Sequence, residues 1–190
     1  MRRTAMAATA ATILLTLTGC LSTPEVTTEP KPADSASAAP TDDKTPAVAE
    51  PREAKVGDTI TVKGMQDGEQ LEVTVKKIVD PAKPADEFFS PEDGKRWIGV
   101  QFQLVNTGSK PYDDSPSNGV QIADTEGQRF GTVFGEIKSG PSMAASVTLP
   151  PGEKALGWIV LELPKASKAA TVQFSMNSGF SNQTGQWKLQ

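Results

Sequence analysis

The chain has 190 residues, with 19 lysines and arginines against 23 aspartates and glutamates, a net charge of -4, one cysteine and no histidine. Without histidine there is no imidazole base, no Ser-His-Asp arrangement and no His-ligated zinc. No run of lysine or arginine offsets the acidic balance, which disfavours a nucleic-acid partner.

The N-terminus places Arg2 and Arg3 before an apolar, threonine-diluted stretch from Ala5 to Leu17. At about 13 residues it is short of the roughly 20 that span a bilayer, and it reads as the h-region of a secretory signal peptide over 1–19. The paired arginines raise twin-arginine export, but the apolar pair usual in such signals is missing, so general secretion is preferred. Leu17-Thr18-Gly19-Cys20 then has the form of a lipobox, with small residues before a thiol that accepts a diacylglycerol and becomes the first mature residue. Each buried methylene contributes about 0.8 kcal/mol, so one acyl chain holds marginally and two hold stably. Cys20 is therefore read as the lipid-attachment residue, fixing the protein to the outer leaflet of the cell membrane with the remainder facing the extracytoplasmic space.

Residues 20–55 read as a disordered tether behind that cysteine. Between Leu21 and Lys55 there are six prolines, no glycine and no aromatic, too little apolar surface to offset the entropy of ordering the segment.

Residues 56–190 read as one domain of modal size, holding all three tryptophans and all seven phenylalanines. Its periodicity is that of strands. Ile60-Thr61-Val62 leads through a turn at Asp67-Gly68 to Leu71, Val73 and Val75, with a phase slip at Lys77-Ile78-Val79 that indicates a bulge. Ile98, Val100, Phe102 and Leu104 alternate with polar residues and glycine until Asn106-Thr107-Gly108. Val120 and Ile122 precede a turn at Thr125-Glu126-Gly127, and Phe130, Val133 and Phe134 suggest a weaker strand. Val147 and Leu149 reach Pro150-Pro151-Gly152-Glu153, whose Pro and Gly positions fit a type II turn. The stretch from Ala155 to Leu163, apolar on both faces, is expected to be a central strand. Val172, Phe174 and Met176 alternate again, and Trp187 with Leu189 is expected at an edge. About eight short strands joined by glycine and proline turns predict an all-β, immunoglobulin-like β-sandwich.

Val56-Gly57-Asp58-Thr59, Val105-Asn106-Thr107-Gly108, Ile122-Ala123-Asp124 with Gly127, and Leu149-Pro150-Pro151-Gly152-Glu153 followed by Gly157-Trp158-Ile159-Val160-Leu161 carry a resemblance. Over residues 56 to about 176 the chain resembles the telokin-like, immunoglobulin-fold domain of unknown function found on lipoproteins of Gram-positive bacteria. That family is similar to the mycobacterial immunoprotective extracellular protein. The resemblance implies a fold and carries over no catalytic group. With no cysteine pair to pin the sheets, packing alone must hold them.

Three places carry more than the fold requires. The segment 80–96 holds three prolines, five acids and the adjacent pair Phe88 and Phe89, read either as aromatics capping the open end of the sandwich or as a knob for a partner. Tyr112-Asp113-Asp114-Ser115, with Asp124, offers oxygen ligands for a hard cation such as calcium, or simply a solvated acidic turn. The stretch from Ser175 to Gly185, rich in serine, asparagine and glycine around Phe180, reads as a hairpin or a frayed connection. Thr107-Gly108-Ser109-Lys110 is a turn pattern rather than a Ser-Lys dyad. The expectation is a non-catalytic binding or interaction module on a lipid anchor, with no cofactor, meeting an envelope or secreted protein. The alternatives are a calcium-dependent structural or solute-binding lipoprotein and, less favoured, an envelope hydrolase.

Overall fold

A computed structural model describes residues 24–31 and 53–189. The segment read as a signal peptide and the attachment residue Cys20 lie outside them. Among the described residues there are eleven strands: β1 (Glu25–Thr27), β2 (Thr59–Lys63), β3 (Gln70–Val79), β4 (Lys95–Asn106), β5 (Tyr112–Asp114), β6 (Val120–Asp124), β7 (Arg129–Phe130), β8 (Val147–Leu149), β9 (Lys154–Pro164), β10 (Ala169–Ser175) and β11 (Gln183–Lys188). One sheet is ordered β1-β11-β10-β6-β7 and the other β2-β3-β4-β9, while β5 pairs with β8. This is the expected all-β sandwich.

Alternation along the strands decides what lies between the sheets. On β4, Ile98, Val100, Phe102 and Leu104 are fully buried, while Gln101 and Gln103 are only partly covered on the other face. From the opposite sheet come Val120, Ile122, Val172, Phe174 and Trp187. The Phe102 ring lies 5.7 Å from that of Phe174 and 6.3 Å from that of Trp187, and the Trp187 indole N–H donates to the Asp58 carbonyl at 3.0 Å. The phase slip in β3 is a register shift between Val75 and Lys77. The Gly152 turn closes by a hydrogen bond from the Glu153 N–H to the Pro150 carbonyl, with Gly152 at φ +88°.

Four features differ from the sequence reading. Residues 24–31, assigned there to the tether, pair with the domain. β1 lies parallel to β11 in register Glu25 with Gln183, and the Lys31 N–H reaches the Thr59 carbonyl at 2.7 Å. Backbone pairing on an open sheet edge needs no large apolar side chain, so hydrophobicity does not announce it. For the same reason the domain begins before Val56. Ala54 is fully buried, and its N–H and carbonyl bond Thr28 and Lys188.

β11 is consequently an inner strand, not an edge. β7 ends at Phe130, so Val133 and Phe134 leave the sheet. The fourth difference is β9, which terminates its sheet although it is apolar on both faces. Ile159, Leu161 and Leu163 join the main core, whereas Trp158 and Val160 face outward beneath the chain between β7 and β8. That connection also bonds the free side of β9, through Val133 N–H to the Val160 carbonyl at 2.9 Å and Met143 N–H to the Trp158 carbonyl at 2.7 Å. Gly157 permits the approach, since a Cβ there would run into the backbone of Met143.

Candidate functional site

The outer faces of the two sheets are unlike. On the β10 sheet the face is polar: Arg129 donates to Gln173 at 2.6 Å, and Gln173 to Gln186 at 2.7 Å. On the β4 sheet, Trp97, Trp158 and Val160 form a second hydrophobic cluster with Ala82 and Ile137. Ala82 comes from the β3–β4 connection and Ile137 from the β7–β8 connection, so two segments distant in sequence meet on this face. They pair with each other as a short ribbon. Pro84 bridges Ile137, the Ala85 N–H donates to the Glu136 carbonyl at 2.9 Å, and the Lys138 N–H to the Lys83 carbonyl at 3.0 Å.

Polar contacts close the neck of this arm. Arg96 clasps Asp80 with Nε at 2.7 Å and Nη2 at 3.0 Å from the two carboxylate oxygens. Glu162, on β9, accepts from the Glu92 N–H at 3.0 Å and the Trp97 indole at 3.1 Å, and lies 3.1 Å from Lys95 Nζ. Burial by itself would raise the Glu162 pKa, but these donors outweigh it and hold the carboxyl below its usual range.

At the tip, the Asp86 carboxylate accepts from the backbone N–H groups of Phe88 and Phe89, at 2.8 and 3.2 Å. That turn leaves Phe88 90% exposed and Phe89 43% exposed. Phe134, 84% exposed, meets Phe89 edge to face at a centroid distance of 5.3 Å. The reading of Phe88 and Phe89 as aromatics capping the core is therefore corrected. Trp97, Ile137 and Ala82 already fill the apolar base of the arm, and the Asp86 turn directs both rings away from it. Phe134, placed by the sequence on a strand, joins them. Its flanking glycines, Gly131 and Gly135, were the available sign of a loop.

Phe88→Ala is expected to change the unfolding free energy by less than about 0.5 kcal/mol in denaturant titration. Phe89→Ala is expected to cost about 1 kcal/mol through the lost edge contact with Phe134. A loss of several kcal/mol at either position would mean that the ring is buried.

The acidic positions are engaged within the fold. Asp114, on β5, accepts from the Ser178 N–H at 2.9 Å, the Ser178 hydroxyl at 2.6 Å and the Ser115 N–H at 2.8 Å. Asp113 accepts from Thr148 at 3.1 Å, and Asp124 closes its own turn by accepting from the Glu126 and Gln128 N–H groups. Burial, then the neighbouring Asp114 carboxylate, pushes the Tyr112 hydroxyl pKa up. Among the described residues no three acidic or cysteine side chains converge as a metal site. Asn106, read as a strand terminator, is also a buried tie. Its amide donates to the Lys110 and Leu149 carbonyls at 2.8 and 2.7 Å, and its oxygen accepts from the Gly108 N–H at 2.9 Å. An open cleft lies beside the arm between Pro84, Phe88 and Lys138.

Comparison with known proteins agrees with this architecture. Residues 54–185 match the family model described as a domain of unknown function, DUF4352. A secreted protein of Mycobacterium tuberculosis, MPT63, superposes with a TM-score of 0.50 at 16% identity, over 71% of this chain and 95% of that one. A Bacillus subtilis protein described as a presumed lipoprotein, ycdA, gives a TM-score of 0.50 at 15% identity, over 65% of this chain and 38% of that one. At these identities the likeness is one of fold. No curated protein matches the chain significantly.

Proposed function

The chain belongs to the DUF4352 family, and from that premise we propose that it is a lipid-anchored extracytoplasmic module that binds a protein of the envelope or the secreted space without catalysing a reaction. The observation that carries the reading is the aromatic arm. A folded domain gains nothing by holding Phe88 and Phe134 almost fully in water on a ribbon with its own apolar base, whereas exposed aromatics are the residues that concentrate interface energy. The base keeps the rings from collapsing, so a partner meets them with little ordering left to do.

Location is supported by the Cys20 lipobox and by the likeness to a secreted protein and to one described as a presumed lipoprotein. The non-catalytic reading is supported by the absence of histidine from the chain and by the internal hydrogen bonds that occupy Asp113, Asp114 and Asp124.

The test is crosslinking in intact cells. The anchored protein should capture an envelope or secreted protein. The triple variant Phe88→Ser, Phe89→Ser, Phe134→Ser, normally folded by near-ultraviolet circular dichroism, should capture at least about tenfold less. Equal capture by the two forms would overturn the arm as the binding site.

A further inference from the structure

β1 has a consequence for how the molecule stands on its membrane. Its first residue is fixed to the sandwich: the Glu25 N–H donates to the Asn182 carbonyl at 2.6 Å. Only residues 21–24 separate Glu25 from Cys20, so covalent geometry keeps their Cα atoms within about 18 Å of each other. Were the chain paired only from residue 53 onward, the same limit would be on the order of 100 Å. The end of the sandwich around Asn182 is thus confined close to the lipid whenever β1 is paired.

That end presents apolar side chains. Phe180, two residues before Asn182, is 77% exposed, and Met65, at the tip of the β2–β3 hairpin, is 62% exposed. They are held together rather than left loose. The Met65 N–H donates to the Asn177 side-chain oxygen at 2.9 Å, the Asn177 amide donates to Glu69 at 3.3 Å, and Asp114 holds Ser178. Nearby charges are Lys63 and Lys110 against Glu25, Asp67, Glu69, Asp113 and Asp114, an acidic balance that suits a zwitterionic surface better than an anionic one.

We propose that this end, with Phe180 and Met65 leading, is a membrane-contact face seated in the interfacial layer of the outer leaflet beside the lipid on Cys20. The proposal rests on Cys20 acylation. An aromatic ring and a flexible thioether suit the boundary between headgroups and acyl chains, and the short link to the anchor keeps them there at high local concentration. The orientation follows. β3 runs ten residues, about 30 Å at strand rise, from beside this hairpin to the start of the segment that forms the arm. The Phe88 tip is then directed away from the bilayer.

The test uses the full-length protein, processed in cells and reconstituted into phosphatidylcholine vesicles with brominated acyl chains. A tryptophan placed by Phe180→Trp reports contact, because Trp97, Trp158 and Trp187 are nearly inaccessible. Flotation with the vesicles is scored first. With flotation, and after subtraction of the parent protein's emission in the same vesicles, the emission contributed by the introduced tryptophan of the Phe180→Trp protein should fall by at least about twofold relative to unbrominated vesicles, while that contributed by the tryptophan of a Phe88→Trp protein stays unchanged. Flotation without quenching at position 180, or with equal quenching at position 88, would overturn the membrane-contact face and leave the anchor standing. Failure to float would overturn the anchor, and the face with it.

Discussion

Phe102→Ala is expected to destabilise the domain by about 3–5 kcal/mol, against a typical total of about 5–15. The ring is fully buried in mid-strand and packs onto Phe174 and Trp187 of the opposite sheet. Its removal loses transfer free energy and leaves a cavity whose walls are the side chains of rigid strands, which relax poorly. No disulfide backs up the packing, since the chain has a single cysteine. Gln103→Ala, one residue on and facing the other way, should cost less than about 0.5 kcal/mol. Chemical unfolding followed by fluorescence of the three buried tryptophans checks both values. A larger effect at Gln103 than at Phe102 would mean that the faces of β4 are assigned in reverse.

The contrast between these neighbours was legible in the sequence because alternation is local. Ile98, Val100, Phe102 and Leu104 declare one buried face without reference to any other part of the chain. The β3 bulge and the turns at Gly127 and Gly152 were legible on the same terms, since each is set by a few adjacent residues.

What remained hidden depends on distant partners. Ala155 to Leu163 announced two buried faces, but whether strands or a crossing segment would bury the second cannot be read from the strand alone. Here the β7–β8 connection does so, and β9 is a sheet terminus. β5 and β8 are three residues each, below the length at which a period is visible, and their pairing converts an apparent acidic loop into structure. β1 is three residues held by backbone hydrogen bonds, so its composition still looks like that of a tether.

The candidate site divides in the same way. Phe88 and Phe89 stood out as adjacent aromatics in an irregular, acidic segment, and they do form the tip of the arm. Their direction did not follow from the sequence, because it is set by the Asp86 turn and by an apolar base contributed from residues some fifty positions away. Phe134 was missed for that reason. It becomes part of the site only when two connections pair.

The binding proposal and the membrane-contact proposal both require that the sandwich hangs from a lipid on Cys20, so the most direct test of the account is the fractionation of a Cys20→Ser protein. The diacylglycerol thioether needs the sulfur, and among the described residues no helix is long and apolar enough to cross a membrane. Replacing sulfur with a hydroxyl should therefore move the protein from the membrane fraction to the soluble extracytoplasmic fraction or leave it as a precursor with residues 1–19 attached. Mass spectrometry distinguishes those two forms, and either agrees with the account. A Cys20→Ser protein that has lost residues 1–19 and still sediments quantitatively with the membrane after a high-salt wash would contradict it.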